Sequence, residues 1–159
     1  MLVVHPRARA GGFTLIELMT AITVLTLLTL VALPSFREFV ANQRVRNASF
    51  DLMAALTLAR SQAITQNGPV SLQKRGSTWD AGWTVTDGTN TFGSQEALSN
   101  LSITNTGGIG SVTYERDGRL SSSGTKFTIK PVTEMSGVTA RCITLDLSGK
   151  PSSTQGGCS

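Results

Sequence analysis

The chain is poor in the residues that acid–base and metal chemistry require. Its one histidine is His5, close to the N-terminus, so a chain trimmed of that end has no imidazole for proton transfer or metal binding. Cysteine is limited to Cys142 and Cys158, no CxxC pair occurs, and no Walker-type phosphate loop is present. Gly107-Gly108-Ile109-Gly110 is too short a signal for phosphate and reads as a flexible loop. Charged residues make up 15% of the chain, and the 10 acids are scattered without a pair suited to catalysis. The sequence is read as non-enzymatic, with no cofactor and no metal. Net charge is +4, but Arg7 and Arg9 belong to a short leader, and without them 12 basic residues face 10 acids. The high pI therefore argues weakly for a polyanionic partner unless cations cluster locally.

One long apolar run is present. Phe13 to Leu33 spans 21 residues, which as a helix extends about 31 Å and matches the hydrocarbon thickness of a bilayer. Pro34 comes only after that length. Arg7 and Arg9 precede the run, which predicts a cytoplasmic N-terminus and an exported C-terminal part. In a secretory signal the small residues of the cleavage site follow the apolar core. Here Gly11-Gly12 come before it, so a cut after Gly12 leaves the helix on the mature protein.

Glu17 lies inside the run, and an ionised acid deep in a bilayer costs about 2.5–3.5 kcal/mol. So close to the helix start it can snorkel towards the interface. Alternatively, cleavage after Gly12 creates an α-amine on Phe13, one helical turn from Glu17. That amine, or the amine of a neighbouring copy, would supply the missing cation and fix the register of packed helices. Thr20, Thr23, Thr26 and Thr29 follow at spacing three. Their hydroxyls either support close helix contact or bond back to their own helix carbonyls, the simpler account.

The stretch GGFTLIELMTAITVLTLLTLVALPSF closely resembles the class III signal of type IV pilins and type II secretion pseudopilins. The resemblance implies cleavage by a prepilin peptidase after Gly12 and methylation of the new N-terminus on Phe13. It also implies that Glu17 guides assembly and that Pro34 ends the first part of the helix.

Beyond Pro34 the pattern becomes amphipathic, with Val45, Ser49, Leu52, Leu56, Ala59 and Ala63 on one face. Arg44, Asp51, Arg60 and Gln62 lie elsewhere. Asn67-Gly68-Pro69 predicts the stop, with Gly68 at the residue after the helix. Strands are predicted at 70–75, 82–86, 101–104, 112–116, 126–130 and 140–147, punctuated by Asp87-Gly88, Asp117-Gly118 and Ser148-Gly149. Ile143, Leu145 and Leu147 are expected on one buried face. Trp79 and Trp83 read as core or loop-packing aromatics, with a ligand platform as the alternative.

The expected fold is α+β and type IV pilin-like, a long N-terminal helix packed on an antiparallel β-sheet head. Its parts are a leader (1–12), a transmembrane and assembly helix (13–33), an amphipathic continuation (34–67) and a β-rich head (68–159). LMAALTLARSQAITQNGPVSL, WDAGWTV, ERDGRL and RCITLDLSGK, in that order, resemble the GspH/FimT branch of minor pilins and pseudopilins. The resemblance implies a single-pass inner-membrane protein with a periplasmic head, exposed at the cell surface once assembled. Its implied partners are prepilin peptidase, other minor pilins and the major pilin, with twitching motility as the output. The alternative is an H-type pseudopilin of a type II secretion system.

Both cysteines fall in the exported part, where an oxidising compartment permits a Cys142–Cys158 disulfide. It would stabilise by about 3 kcal/mol and pin the tail to the 140–147 strand; two free thiols are the alternative. Some FimT-like proteins bind DNA, for uptake, through a Gly-Arg-x-Arg motif near the C-terminus. The corresponding stretch is Gly149-Lys150-Pro151-Ser152, where one cation survives as lysine, without the fork of arginine. Lys150, Arg141, Lys126, Lys130, Arg119 and Arg116 are the candidate DNA-binding residues.

Overall fold

A computed structural model describes residues 12–159, with the side chains of Val31 and Pro34 set aside. The leader residues His5, Arg7 and Arg9 lie outside the described residues. The chain divides into two compact units, Met1–Arg37 and Glu38–Ser159. Helix α1 (Leu15–Gln66, 52 residues) contributes to both.

In the first unit, α1 starts where Thr14 precedes a run of good helix formers. The helix assignment continues through Pro34, so proline does not terminate it, although its missing amide deletes one backbone bond. The described large apolar side chains of this unit are exposed, among them Leu15, Leu18, Val24, Leu28 and Phe36. The hydroxyls of Thr20, Thr23, Thr26 and Thr29 donate to the carbonyls of Glu17, Met19, Ile22 and Thr26 at 2.7–2.9 Å. Local back-bonding therefore accounts for these threonines.

In the second unit, α1 buries Val45, Ala48, Ser49, Leu52, Leu56, Ala59 and Ala63 as one stripe. The helix ends in a Schellman arrangement, with Gly68 N–H donating to Ala63 O (3.2 Å) and Asn67 N–H to Ile64 O (3.3 Å). Asn67, at φ 51°, supplies the left-handed residue. Gly68 had been the expected one, but asparagine also tolerates this region.

Among the described residues eight strands form two antiparallel sheets. They are β1 (Val70–Lys74), β2 (Trp83–Thr86), β3 (Thr91–Gln95), β4 (Leu101–Asn105), β5 (Ser111–Tyr114), β6 (Thr125–Pro131), β7 (Arg141–Leu145) and β8 (Pro151–Gln155). The orders are β3-β2-β1-β5 and β4-β6-β7-β8. The stripe of α1 shares one core with both sheets: Leu72, Val85 and Val112 come from the first, and Ile103, Phe127 and Ile143 from the second. Alternation sets the faces, since Thr125, Phe127 and Ile129 are buried while Lys126, Thr128 and Lys130 point away. Each large side chain so buried contributes about 1.5–3 kcal/mol.

Several expectations need correction. Strands β3 and β8 were not foreseen. The strand expected at 140–147 stops at Leu145, and Leu147 is 54% exposed. Asp146 ends it: Asp146 Oδ1 accepts Ser148 N–H at 2.9 Å, and Asp146 O accepts Gly149 N–H at 3.0 Å. The tryptophans are core aromatics as expected: both are buried, and Trp79 packs edge-on to Phe127 with centroids 5.0 Å apart, which leaves the platform alternative aside. The Trp79 indole donates to Ile109 O at 3.0 Å, and Asn105 Oδ1 accepts Ile109 N–H at 3.1 Å. The glycine loop at 107–110 is thus tethered.

Candidate assembly site and head turn cluster

Gly12 and Phe13 precede the helix, both exposed, Phe13 by 90%. Thr14 and Glu17 then form a capping box. Glu17 Oε2 accepts the Thr14 amide at 2.9 Å and the Thr14 hydroxyl at 2.8 Å, while Thr14 Oγ1 accepts Glu17 N–H at 3.3 Å. Thr-x-x-Glu is itself a local capping signal, independent of any cation partner. In the intact chain the carboxylate is therefore held by its own helix start rather than by an amine. Downstream, Glu17, Thr20, Ala21, Val24, Leu25 and Leu28 line an open depression of about 490 Å³ on one helix face.

The six candidate cations of the head do not share one surface. Lys126 and Lys130 lie on the outer face of β6, where Lys130 pairs with Glu134 at 3.3 Å and Lys126 donates to Ser159 O. Arg141 sits opposite Ile129 on the other face and reaches Ser153 Oγ at 3.5 Å. Arg116, Arg119 and Lys150 are exposed on two turns that meet.

These turns are locked together. Leu120 N–H donates to Leu147 O at 3.4 Å, and the buried Tyr114 hydroxyl donates to Gly149 O at 3.1 Å. Gly149 has φ 78°, and a Cβ there would lie 2.4 Å from Gly118 O and 2.8 Å from the Tyr114 ring. Only glycine fits. Arg60, outside the expected set, joins them by donating from Nε to Gly118 O at 3.0 Å. No local motif marks Arg60; its role depends on the long-range approach of α1. Hydrogen bonds from Ser148, its hydroxyl foremost, hold the Asp146 carboxyl below the usual range, with Lys150 adding a smaller pull.

Cys142 and Cys158 are joined by a disulfide with Cα atoms 5.0 Å apart. It ties the residues after β8 to β7, beside the Thr128 hydroxyl that accepts Cys158 N–H at 3.0 Å. Among the described residues no group of histidine, cysteine and acidic side chains is arranged to hold a metal ion.

A family model described as type II transport protein GspH matches residues 48–149, more than half of the chain. The chain belongs to the GspH family. A second model, the prokaryotic N-terminal methylation motif, matches residues 7–33. Among solved structures this GspH-family chain resembles the type IV minor pilin FimU of Pseudomonas aeruginosa, with TM-score 0.62 and 20% identity, covering 72% of this chain and 90% of that one. It also resembles the minor pseudopilin EpsH of the type 2 secretion system of Vibrio cholerae, with TM-score 0.56 and 10% identity, covering 70% and 97%. Both likenesses concern the fold: one long N-terminal helix packed on antiparallel sheets. No curated protein matches the sequence.

Proposed function

We propose that this chain is a minor type IV pilin, anchored in the inner membrane by residues 13–33 and incorporated into the complex that starts or caps a pilus. Prepilin peptidase cuts between Gly12 and Phe13, and the new amine of Phe13 is methylated. Glu17 then leaves its bond to the Thr14 amide, pairs with an amine, and brings the helix into register with those of other minor pilins and the major pilin. The observation that carries this reading is the exposed apolar surface of α1, headed by the Thr14–Glu17 box and directly preceded by Gly12-Phe13. Exposed apolar surface of this extent demands lipid or other helices.

Two variants test it. Gly12→Leu should leave the leader attached, as seen by a mass that retains it. Glu17→Ala should be cleaved normally yet be missing from sheared fibres. Normal incorporation of Glu17→Ala overturns the pairing mechanism.

The H-type pseudopilin of a type II secretion system is the second reading, favoured by the family description and the likeness to EpsH. A deletion strain separates the two: loss of twitching with secretion intact supports the pilus, and the reverse supports secretion.

For DNA uptake, the support is the meeting of the turns that carry Arg116, Arg119 and Lys150, with Arg60 beside them. Lys126, Lys130 and Arg141 are not part of that surface. Binding there should be sensitive to salt. A mobility shift at low and physiological salt tests it, and binding unchanged by Lys150→Ala with Arg119→Ala rejects it.

A further inference from the structure

Each sheet has two outer strands, and two of the four are covered by other parts of the head. Beyond β5, Tyr114 bridges Leu120 and Thr113 O accepts Ser121 N–H at 3.0 Å. The turn at Trp79–Ala81 covers β4, with Asp80 Oδ1 accepting Ile103 N–H at 3.4 Å. β8 pairs with β7 only, but it opens with Pro151, which has no amide donor, and its Ser153 hydroxyl meets that of Ser49 on α1 at 3.1 Å.

That leaves β3. Its backbone pairs with β2 and with no other described element. Its sequence, Thr-Phe-Gly-Ser-Gln, contains neither the charges nor the proline that usually guard an open edge. A register shift skips Phe92, so the strand is bulged at its Thr91 end and Gly93–Gln95 remains as the regular stretch.

A groove runs beside that stretch. One part, about 390 Å³, lies between Gly93–Gln95 and the helix residues Asp51, Ala54 and Leu58, with Trp83 among its walls. A second part, about 210 Å³, continues past Asp51 to Arg44, opposite Ala97–Ser99. From Leu58 to Arg44 the helix covers about 21 Å. On the facing wall only Gly93–Gln95 is strand; Ser99 begins a turn, and Leu98 N–H donates to Asp80 O at 2.8 Å. Asp51 stands in both parts, and the ion pairs among the described residues, Arg75–Glu96 and Lys130–Glu134, neutralise neither Asp51 nor Arg44.

We infer that the β3 edge and this groove receive an extended segment of a partner protein, about six residues long. It adds to Gly93–Gln95 as a fifth strand and sets a lysine or arginine against Asp51. Backbone pairing supplies affinity without sequence preference, and alternate side chains rest on Ala54 and Leu58. Asp51 and Arg44 supply the preference, since a cation facing one and an acid facing the other fix the direction of the added strand.

The test uses the full chain in detergent micelles and two fluorescent peptides, Thr-Val-Lys-Val-Thr-Val and Thr-Val-Glu-Val-Thr-Val, in a polarisation assay. The lysine peptide should bind about ten-fold more tightly, and Asp51→Lys should invert that order. Bound peptide should slow amide exchange at Gly93–Gln95. Ala54→Trp, which fills the groove from an exposed helix position, should abolish binding while helicity is unchanged. Equal affinity for both peptides, absence of binding, or indifference to Asp51→Lys overturns the inference. Self-association of the chain that Ala54→Trp abolishes overturns it in favour of a second copy. None of these readouts depends on processing or fibre incorporation.

Discussion

Tyr114 and Gly149 are joined by a hydrogen bond of 3.1 Å from a fully buried phenol to a backbone carbonyl. That bond couples the end of β5 to the turn after β7 and fixes the approach of the two cationic turns. Tyr114→Phe should lower stability by about 1–3 kcal/mol, because a buried acceptor loses its donor. Gly149→Ala should be worse, since backbone would have to move. Chemical denaturation of both variants checks the order.

The same residue sets an alkaline limit. Burial pushes the Tyr114 phenol above its ordinary value, while the Arg60 charge pulls it back only partly. A phenol raised in the folded state favours folding below its unfolded pKa of about 10, and that contribution is lost as pH climbs above it. Tyr114 is the sole tyrosine, so phenolate absorbance should report unfolding directly. Wild type should lose stability above about pH 10, and Tyr114→Phe should not show that loss.

Reduction of Cys142–Cys158 should cost about 3 kcal/mol. The loss should be local first, with β8 amides exchanging before those of β6, because β8 is held on one side by β7 alone. Mass spectrometry with and without reductant reports the bond, and two free thiols in exported protein would contradict it.

Leu52→Ala and Leu56→Ala should each cost about 2–5 kcal/mol, since both side chains are fully buried. Phe50→Ala should change stability by no more than about 0.5 kcal/mol, because its ring is exposed. Thermal melts of the three variants read the difference.

The helical stripe was legible because its period is local: Val45, Leu52, Leu56 and Ala63 repeat at helix spacing, and each is buried. Six strands could be read because their alternation is visible within single segments. β3 and β8 could not, since Thr91–Gln95 and Pro151–Gln155 are polar edges whose strand state comes from the neighbour they pair with. The same reason hid Arg60, which joins the turn cluster across 58 positions of chain. The six cations were grouped by sign and sequence order, but strand alternation sends Arg141 and Lys126 to opposite faces. For Glu17, a local hydrogen-bond partner three residues away was overlooked in favour of a charge.

The stripe from Val45 to Ala63 has a mechanical side. The head has no linker between its core and α1, because that part of the helix is one wall of the core. Tension applied along the helix therefore enters interlocked side chains from both sheets at once, in shear, where close packing resists sliding. A tug strong enough to free the helix would have to dissolve the head with it.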